Sequence, residues 1–260
     1  MIPEILKYNM GEGVFAFSTT RKGGVSAGTY SAFNITHYCG DSPDCVEQNR
    51  KLLSDFLGVS DDSLILPRQT HSTNVLCINE DFMAKSKEER TAELEGVDAV
   101  ITNVPNLCIG VSTADCVPIL LYDKRNRVVA AVHAGWRGTV ARILEKCVQQ
   151  MVDEYNTSPA DIYAVIAPSI SLDSFEVGDE VYNTFAENGF DMDRIAVRYD
   201  LRWHIDLWEA NRLQLLLCAV PENAIYQSGV CTYKSYSRFF SARRMGISSG
   251  RIFNGIMLRL

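Results

Sequence analysis

Histidine is scarce in this chain, with 4 residues among 260. That count weighs against a multinuclear copper centre, which needs many imidazoles. The 8 cysteines include no C-x-x-C pair, which removes the zinc-ribbon and thioredoxin-type signatures. No apolar run approaches the ~18 residues of a membrane-spanning helix; the longest stretches cover only 117–122 and 215–220. The opening MIPEILKYNM has no basic n-region, long apolar h-region or small-residue cleavage site, so no export signal is expected. The expected compartment is the cytoplasm, where thiols stay reduced. A basic excess is missing too: 25 Lys+Arg stand against 32 Asp+Glu, a net charge of −7. Neither nucleic acid nor a membrane is therefore an expected partner, and any anion site must be built locally.

What is present is an ordinary globular composition, 47% hydrophobic and 22% charged. No repeat, charge block or Pro/Gly/Ser-rich linker divides the chain, so a single domain over 1–260 is expected. Short apolar runs bounded by turn residues predict strands at 14–18, 63–66, 74–78, 98–102, 107–112, 117–122, 127–133, 162–167, 224–227 and 252–257. The clearest amphipathic helix covers 139–155, where Val140, Ile143, Leu144, Cys147, Met151, Val152 and Tyr155 recur at helical spacing. A second is predicted over Pro43–Leu57, with Ser42 as N-cap, Pro43 at the first helical position and Gly58 just past the end. A third starts near Asp206 and carries Leu207, Ala210, Leu213 and Leu217 inward. The strands come in irregular bunches, which favours an α+β fold with mixed β-sheets and flanking helices over strict βαβ alternation.

Three chemistry-bearing residues punctuate strand ends. His71 lies between two apolar runs, Cys116 sits at a strand junction, and His133 closes the run 128–133. A lone strand-end histidine is more often a hydrogen-bonded structural residue than a ligand. Taken together, two imidazoles and a thiolate suit Zn²⁺ with a fourth position left open, the arrangement of a catalytic zinc site. The same Cys116 and His133 also suit a metal-free nucleophile and base. His37 and His204 read as structural or surface residues, and Cys77, Cys108 and Cys147 as core packing. The loop 18–26 is either an oxyanion cradle or a tight turn with two solvated cations. The segment 133–139 leads into the long helix, so its amides and Arg137 are expected to face the same cleft as His133. Phe239, Phe240, Arg243 and Arg244 read either as a base-stacking wall or as core phenylalanines with surface arginines.

Several motifs then fall into a recognisable series. They are Thr20-Arg-Lys-Gly-Gly-Val-Ser26, Phe33-Asn34, Gly40-Asp41, Asn49-Arg50, Gln69-Thr-His-Ser72 and Asp98-Ala-Val-Ile-Thr102. Thr113-Ala-Asp-Cys-Val-Pro118, His133-Ala-Gly-Trp-Arg-Gly138, Phe175-Glu-Val-Gly178, Cys231-Thr232 and Phe240-Ser-Ala-Arg-Arg244 complete it. In this order, and over nearly the whole chain, they resemble the YfiH / laccase-domain ("polyphenol oxidase", DUF152) family. The resemblance implies an α+β fold shared with bacterial toxin cysteine deamidases and a zinc site formed by His71, Cys116 and His133. It implies phosphorolysis of adenosine, inosine and methylthioadenosine to free base and ribose 1-phosphate, with adenosine deaminase as a companion activity. Purine nucleosides and inorganic phosphate are the partners so implied, to a monomer or homodimer.

On that model Arg137 and Arg21 are expected at the phosphate and Arg244 and Phe240 at the substrate. Asp98 or Asp115 is the expected proton shuttle. No H-x-E plus P-C-x-x-C signature is present, so deamination has to use a different frame from the cytidine-type enzymes. Older family labels imply copper-dependent phenol oxidation. Cu²⁺ does suit a His₂Cys set, but four histidines count against a multinuclear copper enzyme. A non-catalytic binding role is the plainest alternative. Two departures bear on pocket shape: Leu172-Asp-Ser-Phe175 replaces a frequent Cys-Cys-Tyr, and Ser248-Ser249-Gly250 stands where Thr-Gly is usual.

Overall fold

All ten predicted strands form in the computed structural model, each displaced by no more than about one residue at either end; the structure describes residues 1–259. Together with an eleventh, unpredicted strand at Ile5–Tyr8, they build two mixed sheets. The five-stranded sheet runs β1 (Ile5–Tyr8), β2 (Val14–Thr19), β14 (Ile252–Leu258), β6 (Cys108–Thr113), β3 (Leu64–Ile65). The six-stranded sheet runs β13 (Ile225–Gln227), β9 (Ile162–Ile166), β7 (Val117–Asp123), β8 (Val128–Ala134), β5 (Ala99–Thr102), β4 (Val75–Cys77). Most neighbours are antiparallel, while β3–β6, β4–β5 and β13–β9 are parallel.

The two sheets stack. Ala16, Ile109, Val111 and Ile256 of one pack against Val100, Leu120, Val129 and Ala131 of the other in a continuous buried cluster. The outer face of the five-stranded sheet, with Phe17, Cys108 and Phe253, is covered by Leu53 and Leu57 of α1 (Pro43–Leu57). The outer face of the six-stranded sheet is covered by α5 (Ile143–Tyr155), α6 (Asp179–Glu187) and α8 (Leu207–Leu217). The layers are therefore helix, sheet, sheet, helix. This explains why β6, β7 and β8 are buried at every residue: both faces are covered, so the strands read as unbroken apolar runs.

α1 keeps its predicted bounds and ends on Gly58 at φ 68°, a left-handed C-cap that glycine adopts without Cβ strain. Ser42 holds the N-cap position, but its side chain makes no capping bond there. Asp206 does cap α8, accepting from the Glu209 amide at 3.0 Å. The predicted inward stripe of α8 needs correction: Leu217 is exposed, and Asn211 and Gln214 are buried instead. Positions 207, 210, 211, 214 and 215 share one face. The two amides are tolerated there because they bond Thr139 Oγ1 at 3.1 Å and Thr139 O at 3.0 Å.

The helix predicted over 139–155 is also two elements. α4 (Trp136–Val140) is followed by Arg142 at φ 62°, and α5 begins at Ile143. The segment after His133 thus opens a five-residue helix, and the long helix does not aim its dipole at the cleft. A third sheet, β10 (Glu176–Val177), β12 (Arg202–Ile205), β11 (Ala196–Tyr199), went unpredicted, as did α2 (Glu80–Ala84), α3 (Lys87–Glu93), α7 (Met192–Ile195) and α9 (Ala242–Met245). All eight cysteines are free thiols. No helix among the described residues is long and apolar enough to cross a membrane.

Candidate metal centre

Strand pairing delivers the key residues to one edge of the six-stranded sheet. Val117 pairs with Ala134, Ala99 with Val132 and Val75 with Ala99. The end of β8 therefore lies beside the starts of β7, β5 and β4. His133 is the penultimate residue of β8, Cys116 lies immediately before β7, Asp98 immediately before β5, and His71 in the loop entering β4. The His71, Cys116 and His133 ligand atoms all lie within 4.8 Å of one another, and Cys116 Sγ is 3.7 Å from His71 Nε2. His71 is exposed, Cys116 half-buried and His133 buried, so the cluster has a dry back and an open front.

Asp98 organises this cluster. Its fully buried carboxylate accepts the backbone amides of Thr70 (3.1 Å), His71 (3.0 Å) and Ser72 (2.8 Å), together with Ser72 Oγ (2.8 Å). Those bonds hold His71 at φ 61°, a left-handed conformation uncommon for a residue with a Cβ. The same carboxylate meets His133 Nδ1 at 2.7 Å. Burial pushes the Asp98 carboxyl up, but His133 and the loop amides outweigh burial and hold it below the usual range. It therefore accepts from Nδ1–H, which leaves Nε2 of His133 as the free nitrogen donor. One carboxylate thus holds the His133 imidazole and the backbone turn that carries His71.

The thiol is tuned in the same way. Burial would raise Cys116, yet the neighbouring His133 charge and bonds from both imidazoles bring it down to about 6. Burial likewise opposes charge on His133, while the Cys116 thiolate and Asp98 raise it to about 9. A thiolate at neutral pH is the state a metal requires, while His133 has to give up its Nε2 proton for that nitrogen to ligate.

Space is provided by Gly135. A Cβ at that position would meet His71 Cδ2 at 2.8 Å and Cys116 Sγ at 3.1 Å. Its φ of −65° is open to any residue, so clearance beside the donors, not backbone freedom, calls for glycine. Two nitrogen donors, one thiolate and this cleared cradle fit an ion of the zinc or copper class. Among the described residues this is the one cluster of three such donors. His37 lies apart, 3.7 Å from Glu47, and His204 directs Nδ1 to Leu172 O at 3.0 Å.

The remaining sequence candidates divide. Asp115, at φ 91° beside Cys116, accepts from Thr232 Oγ1 and from the Arg243 amide, both at 2.7 Å. Both carboxylate oxygens are thus committed to docking α9 and the 231–232 segment next to the thiol. Phe240 is fully buried in a cluster with Ala114, Phe239 and Ile252; of the two readings of this segment the core one holds for the phenylalanines, and Phe240 has no exposed face for a substrate. Arg21 lies over the Phe240 ring and donates to Ser31 O and Tyr236 O at 2.7 and 2.9 Å. The loop 18–26 is wrapped on itself: a Cβ at Gly24 would meet Ala32 O and Asn49 Oδ1, and Asn49 accepts from Val25 N at 2.9 Å. It is a packed turn rather than an anion cradle. Arg137 and Arg244 are exposed, the first 4.2 Å over Trp136 and the second 4.2 Å over Tyr236. Sequence reasoning left Gly135 without a role, because it lay inside a motif that drew attention to its histidine and arginine.

Known proteins share this frame. Residues 15–259 match the family model described as multi-copper polyphenol oxidoreductase laccase. The chain is 50% identical over 244 residues to a purine nucleoside phosphorylase of Bacteroides thetaiotaomicron, covering 93% of this chain and 90% of that one. It is 47% identical over 247 residues to adenosine deaminase RL5 from an unknown prokaryotic organism, covering 94% of each. The crystal structure of the hypothetical protein YfiH from Bacillus licheniformis superimposes with a TM-score of 0.90 at 28% identity, covering 99% of this chain and 97% of that one. With whole-length matches in sequence and in layer architecture, the chain belongs to the YfiH, or laccase-domain, family.

Proposed function

We propose that this protein is a zinc-dependent purine nucleoside phosphorylase that acts on adenosine, inosine and methylthioadenosine and also deaminates adenosine. The observation that carries the reading is the His71, Cys116 and His133 donor set, gathered within 4.8 Å beside Gly135 in a chain half identical to a named phosphorylase. Bound there, zinc would supply Lewis acidity through a coordination position that three protein donors leave open. Asp98 holds His133 in the tautomer that presents Nε2 and fixes the His71 turn. Arg137, exposed at the start of α4, offers a planar fork for phosphate, and Arg244 on α9 offers a second cation. Arg21 supports the wall behind them through its carbonyl bonds. Asp98 and Asp115 are positioning residues: the oxygens of each are already engaged, so neither is free to carry a proton through the reaction.

Among the described residues there is one cluster of three donors, which favours a mononuclear site over the multi-copper chemistry of the family description. A metal-free reading uses the Cys116 thiolate and His133 imidazolium as nucleophile and acid, and the value of about 6 for the thiol favours it. Phosphorolysis is tested by incubating zinc-reconstituted protein with inosine, with and without phosphate. Hypoxanthine and ribose 1-phosphate are expected only with phosphate; product formation that ignores phosphate, or none at all, overturns the reading. With adenosine, inosine and hypoxanthine should appear alongside adenine.

A further inference from the structure

A hollow of about 290 Å³ lies between α3 and the free edge of β3, and none of the three metal-type donors lines it. Its floor is apolar, formed by Leu64 and Ile65 of β3 with Leu66. One wall is a single face of α3 and its C-cap: Lys87, Arg90, Thr91 and Leu94 follow the i, i+3, i+4, i+7 spacing that brings side chains together. Tyr38 and Arg50 close the opposite side.

The charges in this hollow are unevenly satisfied. Arg68 is held by Glu95 at 2.6 Å. Asp61 accepts from Ser54 Oγ. Arg90 is mostly buried, with a side chain 13% exposed; its Nη2 stands 3.7 Å from the exposed Asp62, and its Nε is buried without any partner. Arg50 gives one bond to Leu64 O at 3.0 Å and, like Lys87, enters no ion pair among the described residues. Burial first, then the Arg50 charge and more weakly that of Lys87, hold the neighbouring His37 below its ordinary value, while Glu47 opposes the shift.

We propose that this hollow is a second ligand site that takes a small organic anion. The apolar body sits against Leu66, Leu94 and Tyr38, and its phosphate or carboxylate is gripped by Arg90, Arg50 and Lys87. The chain as a whole carries −7, so attraction of an anion here is the work of these local cations. Guanidinium forks match both headgroups, and bonds to charged groups are about twice as strong as neutral ones.

Calorimetric titration of the whole chain with phenyl phosphate, benzoate and phenol tests this. At least one anion is expected to bind saturably, and phenol about tenfold more weakly or not at all. Arg90→Gln should weaken the anion about tenfold or more. Lys87→Glu, a surface change, should weaken it too and leave inosine turnover unchanged. His71→Ala should bind the anion as the wild type does, which separates this site from phosphate held near the metal centre. The proposal is overturned by phenol binding as tightly as the anions or by absence of saturable anion binding. It is equally overturned by unchanged affinity in both Arg90→Gln and Lys87→Glu, or by loss of binding in His71→Ala.

Discussion

A methyl group on Gly135 would occupy the space beside His71 and Cys116, yet the backbone there suits any residue. Gly135→Ala is therefore expected to fold with unchanged secondary structure and to lose bound metal, read by circular dichroism and elemental analysis of the same sample; full metal content would contradict the cradle. Asp98→Asn replaces one carboxylate oxygen with an NH₂ donor and so disrupts the bonds to the His133 imidazole and the His71 backbone amide. Loss of such a supporting bond should lower zinc affinity about 10–100-fold in competition with a chromogenic chelator. Cys116, brought down to about 6, should be alkylated by iodoacetamide in metal-free protein with a midpoint near that pH rather than at the ordinary ~8.5 of a free thiol. Its contribution to stability is complete above the ordinary thiol range and is lost as pH falls through about 6. That of His133, raised to about 9, is complete below the ordinary imidazole range and is lost as pH rises through about 9. The pair is thus intact between those values, and melting curves of metal-free protein compared with Cys116→Ser should differ most in that window. The donors themselves were legible in the sequence, since His and Cys at strand ends are rare and chemically marked. Asp98 was legible only as an acid near the site, because its partners lie 26–35 residues away along the chain.

Elements placed these residues by pairing, and pairing is what periodicity reads least well. The ten apolar runs became strands because both sheets are covered on both faces. The polar β11–β12 hairpin, turning through Asp200 and Leu201 at φ 45° and 68°, gave no such signal. The break between α4 and α5 was hidden because the apolar residues on both sides of Arg142 keep helical spacing. α4 is instead held by α8, whose buried Gln214 and Asn211 both bond Thr139. Gln214→Ala removes one of two donors to the Thr139 carbonyl, which keeps the Arg142 amide at 3.1 Å, and is expected to destabilise the fold by about 0.5–1.5 kcal/mol in urea unfolding. An exposed control, Leu217→Ala, should change stability by less than about 0.5 kcal/mol. Equal effects at the two positions would contradict the assigned face of α8.

At the scale of the whole molecule, the stacked sheets supply a rigid edge, and four strand starts and ends on that edge converge where the chain separates them widely. Rigid presentation of this kind is what a preorganised metal centre requires. The scarcity of histidine acquires a structural meaning here: two of the four histidines meet Cys116 in one cluster, and the other two lie apart, His37 3.7 Å from Glu47 and His204 bonded to Leu172 O. A single catalytic zinc is the central claim, and stoichiometric titration of metal-stripped protein with Zn²⁺, following phosphate-dependent inosine cleavage, tests it most directly. The rate should rise linearly and saturate at one zinc per chain, with no rise in Cys116→Ala. Full turnover in the stripped protein, or a requirement for several copper ions, would contradict it.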